Sequence, residues 1–202
     1  MKMKKSNVFI SIGLLFIIAA LFIAMGNVQV SNKADETAQR IVLQVEAEIP
    51  EEPDMLIPNH YPEREMPTVQ VEEYRYIGTL EIPSLELTLP VMEEWDETRL
   101  KISPCRYYGS VYQDNLVIAG HNYARHFRYI KKLPMESEII FTDAEGNVYT
   151  YFVAWVETLQ AEQIEEMTFQ SEEPENDWDL TLFTCTTGGG SRYTVRCIKM
   201  ER

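Results

Sequence analysis

The chain has 202 residues, 18 of them basic and 32 acidic, for a formal charge of -14. Three of the basic residues precede Val8, so the portion from Ser31 onward sets 15 basic residues against 32 acidic ones. Such a surface repels phosphate backbones, and no basic patch with interleaved aromatics offsets it, which excludes nucleic acid as a partner.

Residues 1–6 form a basic tail carrying Lys2, Lys4 and Lys5. Residues 7–25 read as a transmembrane signal anchor, because Val8 to Met25 contains Ser11 as its only polar side chain. As a helix this stretch reaches roughly 27 Å, near the short end of what crosses a bilayer. Positive charge before the span places the amino terminus inside the cell and the body outside it, single-pass in the cell membrane. A cleaved signal peptide is the rival reading. Its apolar region is usually shorter, however, and Met25-Gly26-Asn27-Val28 offers no small-x-small cleavage site.

Residues 26–73 read as an extended, acidic, proline-rich stalk. Thr37 to Gln44 has the makings of a short helix, but Pro50, Pro53, Pro58, Pro62 and Pro67 break everything from Ile49 to Val71. The folded body is expected over 74–202. Alternation predicts strands over Tyr76–Ile82 and Leu85–Leu89, with a turn at Pro83-Ser84. Asp96 is placed to cap a short helix to about Ile102. Asn115–Ala119 is a short apolar strand ending at Gly120-His121. Tyr123 to Leu133 suggests one or two helical turns, and Glu138–Thr142 another strand. A strong turn at Asp143–Asn147 leads into a strand over Val148–Val156. Ala161–Met167 suits a short helix in a long acidic connection, and Asp179–Thr184 and Tyr193–Lys199 are the last strands. Seven or eight short strands without a strand–long helix–strand rhythm predict an all-β, closed or sandwiched body.

Three segments carry chemistry. Cys185 ends the strand Leu180-Thr181-Leu182-Phe183-Thr184 and enters a loop with Gly188, Gly189 and Gly190. Cys105, Cys185 and Cys197 form neither a CxxC pair nor a disulfide framework, and an odd count outside a cell leaves a free thiol or pairs chains. Catalysis accounts for such a thiol, and so does burial as a small apolar group. His121 follows the apolar strand Leu116-Val117-Ile118-Ala119 and Gly120; His126 is the spare candidate. Arg192 opens the last strand, beside the end of the strand that carries Cys185, whereas Arg196, four residues on, suits a solvated strand face. A thiol needs nearby positive charge to become nucleophilic, imidazole can protonate a departing amine, and a guanidinium holds a carbonyl or oxyanion. No zinc-site spacing and no phosphate-cradling loop is present, so neither a metal nor a cofactor is expected.

The run Thr181-Leu182-Phe183-Thr184-Cys185, followed by an arginine opening the final strand, resembles the Thr-Leu-x-Thr-Cys signature of the sortase family. Asn115 to Asn122 resembles its histidine segment, and Ile77 to Pro83 with Leu87 to Val91 its opening strands. The resemblance spans 76–199. It implies an eight-stranded β-barrel on a signal-anchored protein outside a Gram-positive cell. It further implies that Cys185 attacks the Thr–Gly carbonyl of an LPxTG-like sorting signal on a surface or pilin protein. Arg192 then steadies the oxyanion, His121 protonates the leaving amine, and an amine of a peptidoglycan precursor or a pilin lysine accepts the acyl group.

The short Thr- and Gly-rich loop from Cys185 to Arg192 and the weakly helical 156–177 connection leave the class within the family open. An L,D-transpeptidase-like cysteine enzyme is an alternative, although its Ser-x-Gly-Cys surroundings are missing because Thr184 precedes Cys185. A papain-like hydrolase places cysteine before histidine, opposite to this order. A non-enzymatic extracellular β-domain for adhesion or assembly predicts a buried Cys185 and a distant His121.

Overall fold

The computed structural model describes residues 5–51, 64–170 and 177–200. Pro53, Pro58 and Pro62 of the expected stalk lie outside the described residues, as do the first four residues of the basic tail. The chain divides into two units, Met1–Lys33 and Ala34–Arg202. The helix α1 (Lys5–Glu48) runs through the first and into the second. Its first part bears exposed Phe9, Leu15, Phe16, Phe22 and Ile23, and it is long and apolar enough to cross a membrane.

The helix does not stop at the expected start of the stalk. No proline or glycine occurs between Asn27 and Ile49, so nothing in the backbone breaks it before Pro50. Within the second unit, Ala34, Ala38, Ile41, Val42 and Val45 recur at three- and four-residue spacing and are all buried. That is the stripe of an amphipathic helix, and it holds the segment against the body rather than away from it. Ile41 and Val45 pack with Val71, Tyr76 and Met92, and Arg40 pairs with Glu72. The compact body therefore begins at Ala34 and takes in residues predicted as stalk.

Nine strands follow among the described residues: β1 (Val69–Val71), β2 (Tyr74–Ile82), β3 (Leu87–Met92), β4 (Cys105–Tyr108), β5 (Leu116–Ala119), β6 (Glu138–Asp143), β7 (Val148–Gln160), β8 (Leu180–Cys185) and β9 (Ser191–Lys199). The spatial order is β1-β2-β3-β4-β5-β8-β9-β7-β6, and β6 pairs back onto β2. That last pairing closes β2 to β9 into an eight-stranded mixed barrel, the all-β closed architecture the sequence predicts, with β1 as an added arm. Gly78 makes closure possible. A Cβ there would lie 1.9 Å from the Thr142 carbonyl oxygen, so only glycine lets β2 and β6 approach.

The pairs β3–β4 and β5–β8 are parallel and the other pairs antiparallel. A parallel pair is ordinarily covered on both faces, which explains why all four residues of β5 are buried. Leu116, Ile118, Leu180 and Leu182 point into the barrel with Leu80, Phe141 and Val195. Val117, Ala119 and Phe183 join a second cluster outside the wall, with Leu100, Met167 and Trp178.

Several elements differ from their predicted bounds. β1 and β4 were not predicted, being three and four residues long. β3 runs through Pro90, opposite Thr79 of β2. The Asp96 cap is real, accepting from the Thr98 and Arg99 amides at 2.7 Å, but only a 3-10 turn, Arg99–Lys101, follows it. The 123–133 stretch likewise keeps one 3-10 turn, Ile130–Lys132. α2 (Ile164–Thr168) stands where the acidic connection was expected to be helical.

Candidate active site

Three adjacent strands deliver the candidate residues to one end of the barrel. In the parallel pair, Ala119 of β5 stands level with Phe183 of β8, and the Gly120 amide still donates to the Phe183 carbonyl at 3.0 Å. His121 follows two residues after Ala119 and Cys185 two residues after Phe183, beyond the last paired rung. In the antiparallel pair, Cys185 and Arg192 are direct partners. Partners across an antiparallel pair project to the same face, here the outer face that also bears Phe183. The structure thus brings Cys185 and Arg192 together, and it sets His121 in the turn that follows the neighbouring strand β5.

Gly120 allows the turn that carries the histidine. A Cβ on it would fall 2.5 Å from the Phe127 ring, so the ring closes directly over the backbone. The Phe127 amide donates to the His121 carbonyl at 3.1 Å and closes the loop. His121 lies 4.8 Å, centroid to centroid, from the Tyr123 ring, and its buried Nε2 has no hydrogen-bond partner among the described residues. Burial pushes its pKa below the usual histidine value; Glu97 opposes the shift and Lys101 adds to it.

Cys185 is half-buried and free, and its neighbours leave it in an open groove. The groove has a volume of about 190 Å³ and reaches from Cys185 and Arg192 over Ala119 and Phe183. Its walls are Trp95, Leu100 and Tyr107 on one side and Ile164 and Met167 of α2 on the other, with Glu97 at the edge. An apolar trough ending at a thiol and a guanidinium suits an extended peptide, and His121 is not among the residues that line it. Arg192 folds back on its own loop, donating from Nη1 to the carbonyls of Gly189 at 2.9 Å and Ser191 at 3.3 Å.

The remaining candidates separate cleanly. Cys105 and Cys197 are buried, free thiols, with Cys105 pushed up to about 12 by burial and Cys197 pushed up as well. His126 is fully buried, whereas His121 is half-buried; neither lines the groove. Arg196, expected on a solvated face, is only 3% exposed. It donates to Glu157, to Thr181 Oγ1 and to the Met167 and Glu166 carbonyls, and lies over the Trp178 ring. Two further residues went unnoticed in the sequence. Asn122 donates from Nδ2 to the Cys185 carbonyl at 3.1 Å, and Arg128 donates to Asn122. The one available signal was the position of Asn122 directly after the histidine.

A family model described as the sortase domain matches residues 80–200. The structure resembles sortase A from Corynebacterium diphtheriae at a TM-score of 0.55 and 20% identity, covering 92% of each chain. It resembles sortase C1 from Streptococcus suis at 0.53 and 25% identity, covering 63% of this chain and 74% of that one. Against sortase C1 from Streptococcus agalactiae the values are 0.54 and 23%, covering 63% and 68%. Comparison with curated protein sequences gives no match. The chain belongs to the sortase family, whose members are cysteine transpeptidases. The neighbours carry different class labels, and none assigns a class to this chain.

Proposed function

We propose that this chain cleaves the Thr–Gly bond of an LPxTG-like sorting signal on a surface or pilin protein and transfers the new acyl group to an amine. The amine belongs to a peptidoglycan precursor or to a pilin lysine. The single observation that carries the reading is Cys185 standing opposite Arg192 at the end of the groove, with His121 two residues beyond the end of the neighbouring strand β5.

The Cys185 thiolate adds to the threonine carbonyl carbon, and the carbonyl electrons move onto oxygen. The guanidinium of Arg192, swung from its loop carbonyls, holds that oxyanion. Collapse of the adduct breaks the C–N bond as the His121 imidazolium gives its proton to the leaving glycine nitrogen, leaving a thioester on Cys185. The acceptor amine then attacks the thioester, its proton passes to His121, and the thiolate departs. The apolar helix anchors the enzyme in a Gram-positive cell membrane with residues 34–202 on the outer side, where sorting signals and wall precursors meet.

The test is a sorting-signal peptide bearing an electrophilic ketone in place of the scissile amide. A covalent adduct at Cys185 is expected, together with complete loss of acyl transfer in Cys185→Ala at an unchanged melting temperature. Iodoacetamide on the native protein should label Cys185 and spare Cys105 and Cys197, whose buried thiols stay protonated. Adducts only at Cys105 or Cys197 would overturn the assignment.

A further inference from the structure

The parallel ladder between β5 and β8 ends with the Gly120 amide on the Phe183 carbonyl. Its next rung would run from the amide of residue 122 to the carbonyl of Cys185, two residues further along each strand. By that point the backbone after β5 has turned aside to form the closed loop in which Phe127 bonds the His121 carbonyl. The rung is made nonetheless, by a side chain: Asn122 Nδ2 donates to the Cys185 carbonyl at 3.1 Å.

Arg128 fixes the direction of that amide. Its Nη2 and Nε donate to the Asn122 backbone carbonyl at 3.0 and 3.3 Å, and its Nε lies 3.4 Å from Asn122 Oδ1. With the amide oxygen drawn to a cation, the NH₂ group is left facing Cys185. The same loop is tied to α1, where Asp35 Oδ1 accepts from the Arg125 amide at 3.3 Å.

We propose that Asn122 is a positioning residue, oriented by Arg128, which holds the end of β8 to the histidine turn and thereby fixes the separation of the Cys185 thiol and the His121 imidazole. This role rests on the reading of those two groups as nucleophile and acid. The need for it is geometric. Pairing between β5 and β8 stops at Gly120 and Phe183, one residue short of the histidine and two short of the cysteine, so although β9 holds Cys185 and Phe127 closes the histidine turn, no backbone bond ties the two ends to each other. Misplacement of reacting groups by about 1 Å costs on the order of 100-fold in rate. A single neutral hydrogen bond contributes little to folding. The clamp is therefore expected to affect rate far more than stability.

Full-length protein in detergent micelles is assayed for cleavage of a fluorogenic Leu-Pro-x-Thr-Gly peptide, and for the pH dependence of Cys185 alkylation by iodoacetamide. Asn122→Ala should lower kcat by roughly 10- to 100-fold with KM within about threefold of wild type. Its alkylation profile should move to that of His121→Ala, and Asn122→Ala should add nothing further in the His121→Ala background. Asn122→Asp keeps the volume and an acceptor for Arg128 but loses the donor, and should be impaired equally. Arg128→Lys should retain more activity than Arg128→Ala. Loss of stability alone would shift the melting temperature and leave the pH profile intact. If Asn122→Asp keeps the wild-type kcat, or Asn122→Ala the wild-type alkylation profile, Asn122 has no positioning role. If the wild-type profile is itself independent of His121, the acid–nucleophile pairing fails, and the role of Asn122 fails with it. If the peptide is untouched while alkylation depends on His121, the substrate reading alone fails and the alkylation profiles decide.

Discussion

Arg192 and Arg196 stand four residues apart on one face of β9, opposite Cys185 and Thr181 respectively, yet their guanidiniums meet opposite surroundings. Among the described residues, Arg192 reaches loop carbonyls at the mouth of the groove. Arg196 is sealed beneath Trp178 and the C-terminal end of α2, where it bonds the Glu166 and Met167 carbonyls left unpaired by so short a helix. Because Ile164 and Met167 form one wall of the groove, Arg196 helps hold that wall to the barrel, together with Thr194 and the packing of Met167 in the outer cluster.

Arg196→Ala should strand the Thr181 hydroxyl and the Glu166 and Met167 carbonyls without their donor, at a cost of about 1–3 kcal/mol for each buried group left unsatisfied. Glu157→Gln, which removes the more exposed partner and keeps a hydrogen-bond acceptor, should cost less, about 1 kcal/mol. Urea denaturation of both variants checks the ratio. Equal and small losses would show that Arg196 does not help tie α2 to the sheet.

Much of this architecture was legible from period and punctuation. The apolar run Leu116–Ala119 and the Gly120-His121 that follows it place the histidine at a strand end, and the turn at Asp143–Asn147 does join β6 to β7. The fate of Arg196 was not legible. Alternation assigns it a face, but whether that face is wet depends on α2 and Trp178 folding over it from distant parts of the chain. The helical stalk is a different case. Ala34, Ala38, Ile41, Val42 and Val45 carry the helical period openly, upstream of the first of the prolines, Pro50. β4 escaped because its four residues pair parallel to β3 at one position only, Met92 with Cys105, a contact no local pattern announces.

His121 feels two opposed charges, and their signs give a pH prediction. Glu97 favours the imidazolium and Lys101 disfavours it, on top of the dominant effect of burial. Glu97→Gln should lower the His121 pKa further, so that less imidazolium exists at neutral pH and the acid limb of kcat/KM moves to lower pH. Lys101→Gln should move both in the opposite direction. The His121 ring-proton signal followed by NMR through the titration reads the shift directly. Shifts of the same sign in the two variants would contradict this electrostatic picture.

The buried stripe of α1 predicts a contrast between neighbours. Ile41 is 2% exposed and Leu43 68% exposed. Ile41→Ala empties a packed site against Val71 and Tyr76 and should cost about 2–4 kcal/mol, whereas Leu43→Ala should stay within about 0.5 kcal/mol of wild type. Chemical denaturation of the detergent-solubilised protein, followed by Trp fluorescence, separates them. If both were neutral, α1 beyond Ala34 would not be part of the body.

His126 gives a second pH prediction. It is fully buried, 5.4 Å from the Tyr123 ring, and burial, with the neighbouring His121 adding to it, pulls its pKa from 6.5 down to about 4. Between those two values the unfolded chain binds a proton that the folded one refuses, so stability rises with pH across that window and falls on acidification. The contribution is complete above pH 6.5, and its full loss by about pH 4 amounts to ~3 kcal/mol. His126→Leu keeps an apolar side chain in the pocket and has no proton to exclude. Its stability should fall less steeply than that of wild type from pH 6.5 to 4, so the difference between the two closes or reverses in favour of the variant. Urea midpoints measured at half-unit intervals report the two slopes, and parallel curves would mean that His126 is protonated inside the fold as easily as outside it.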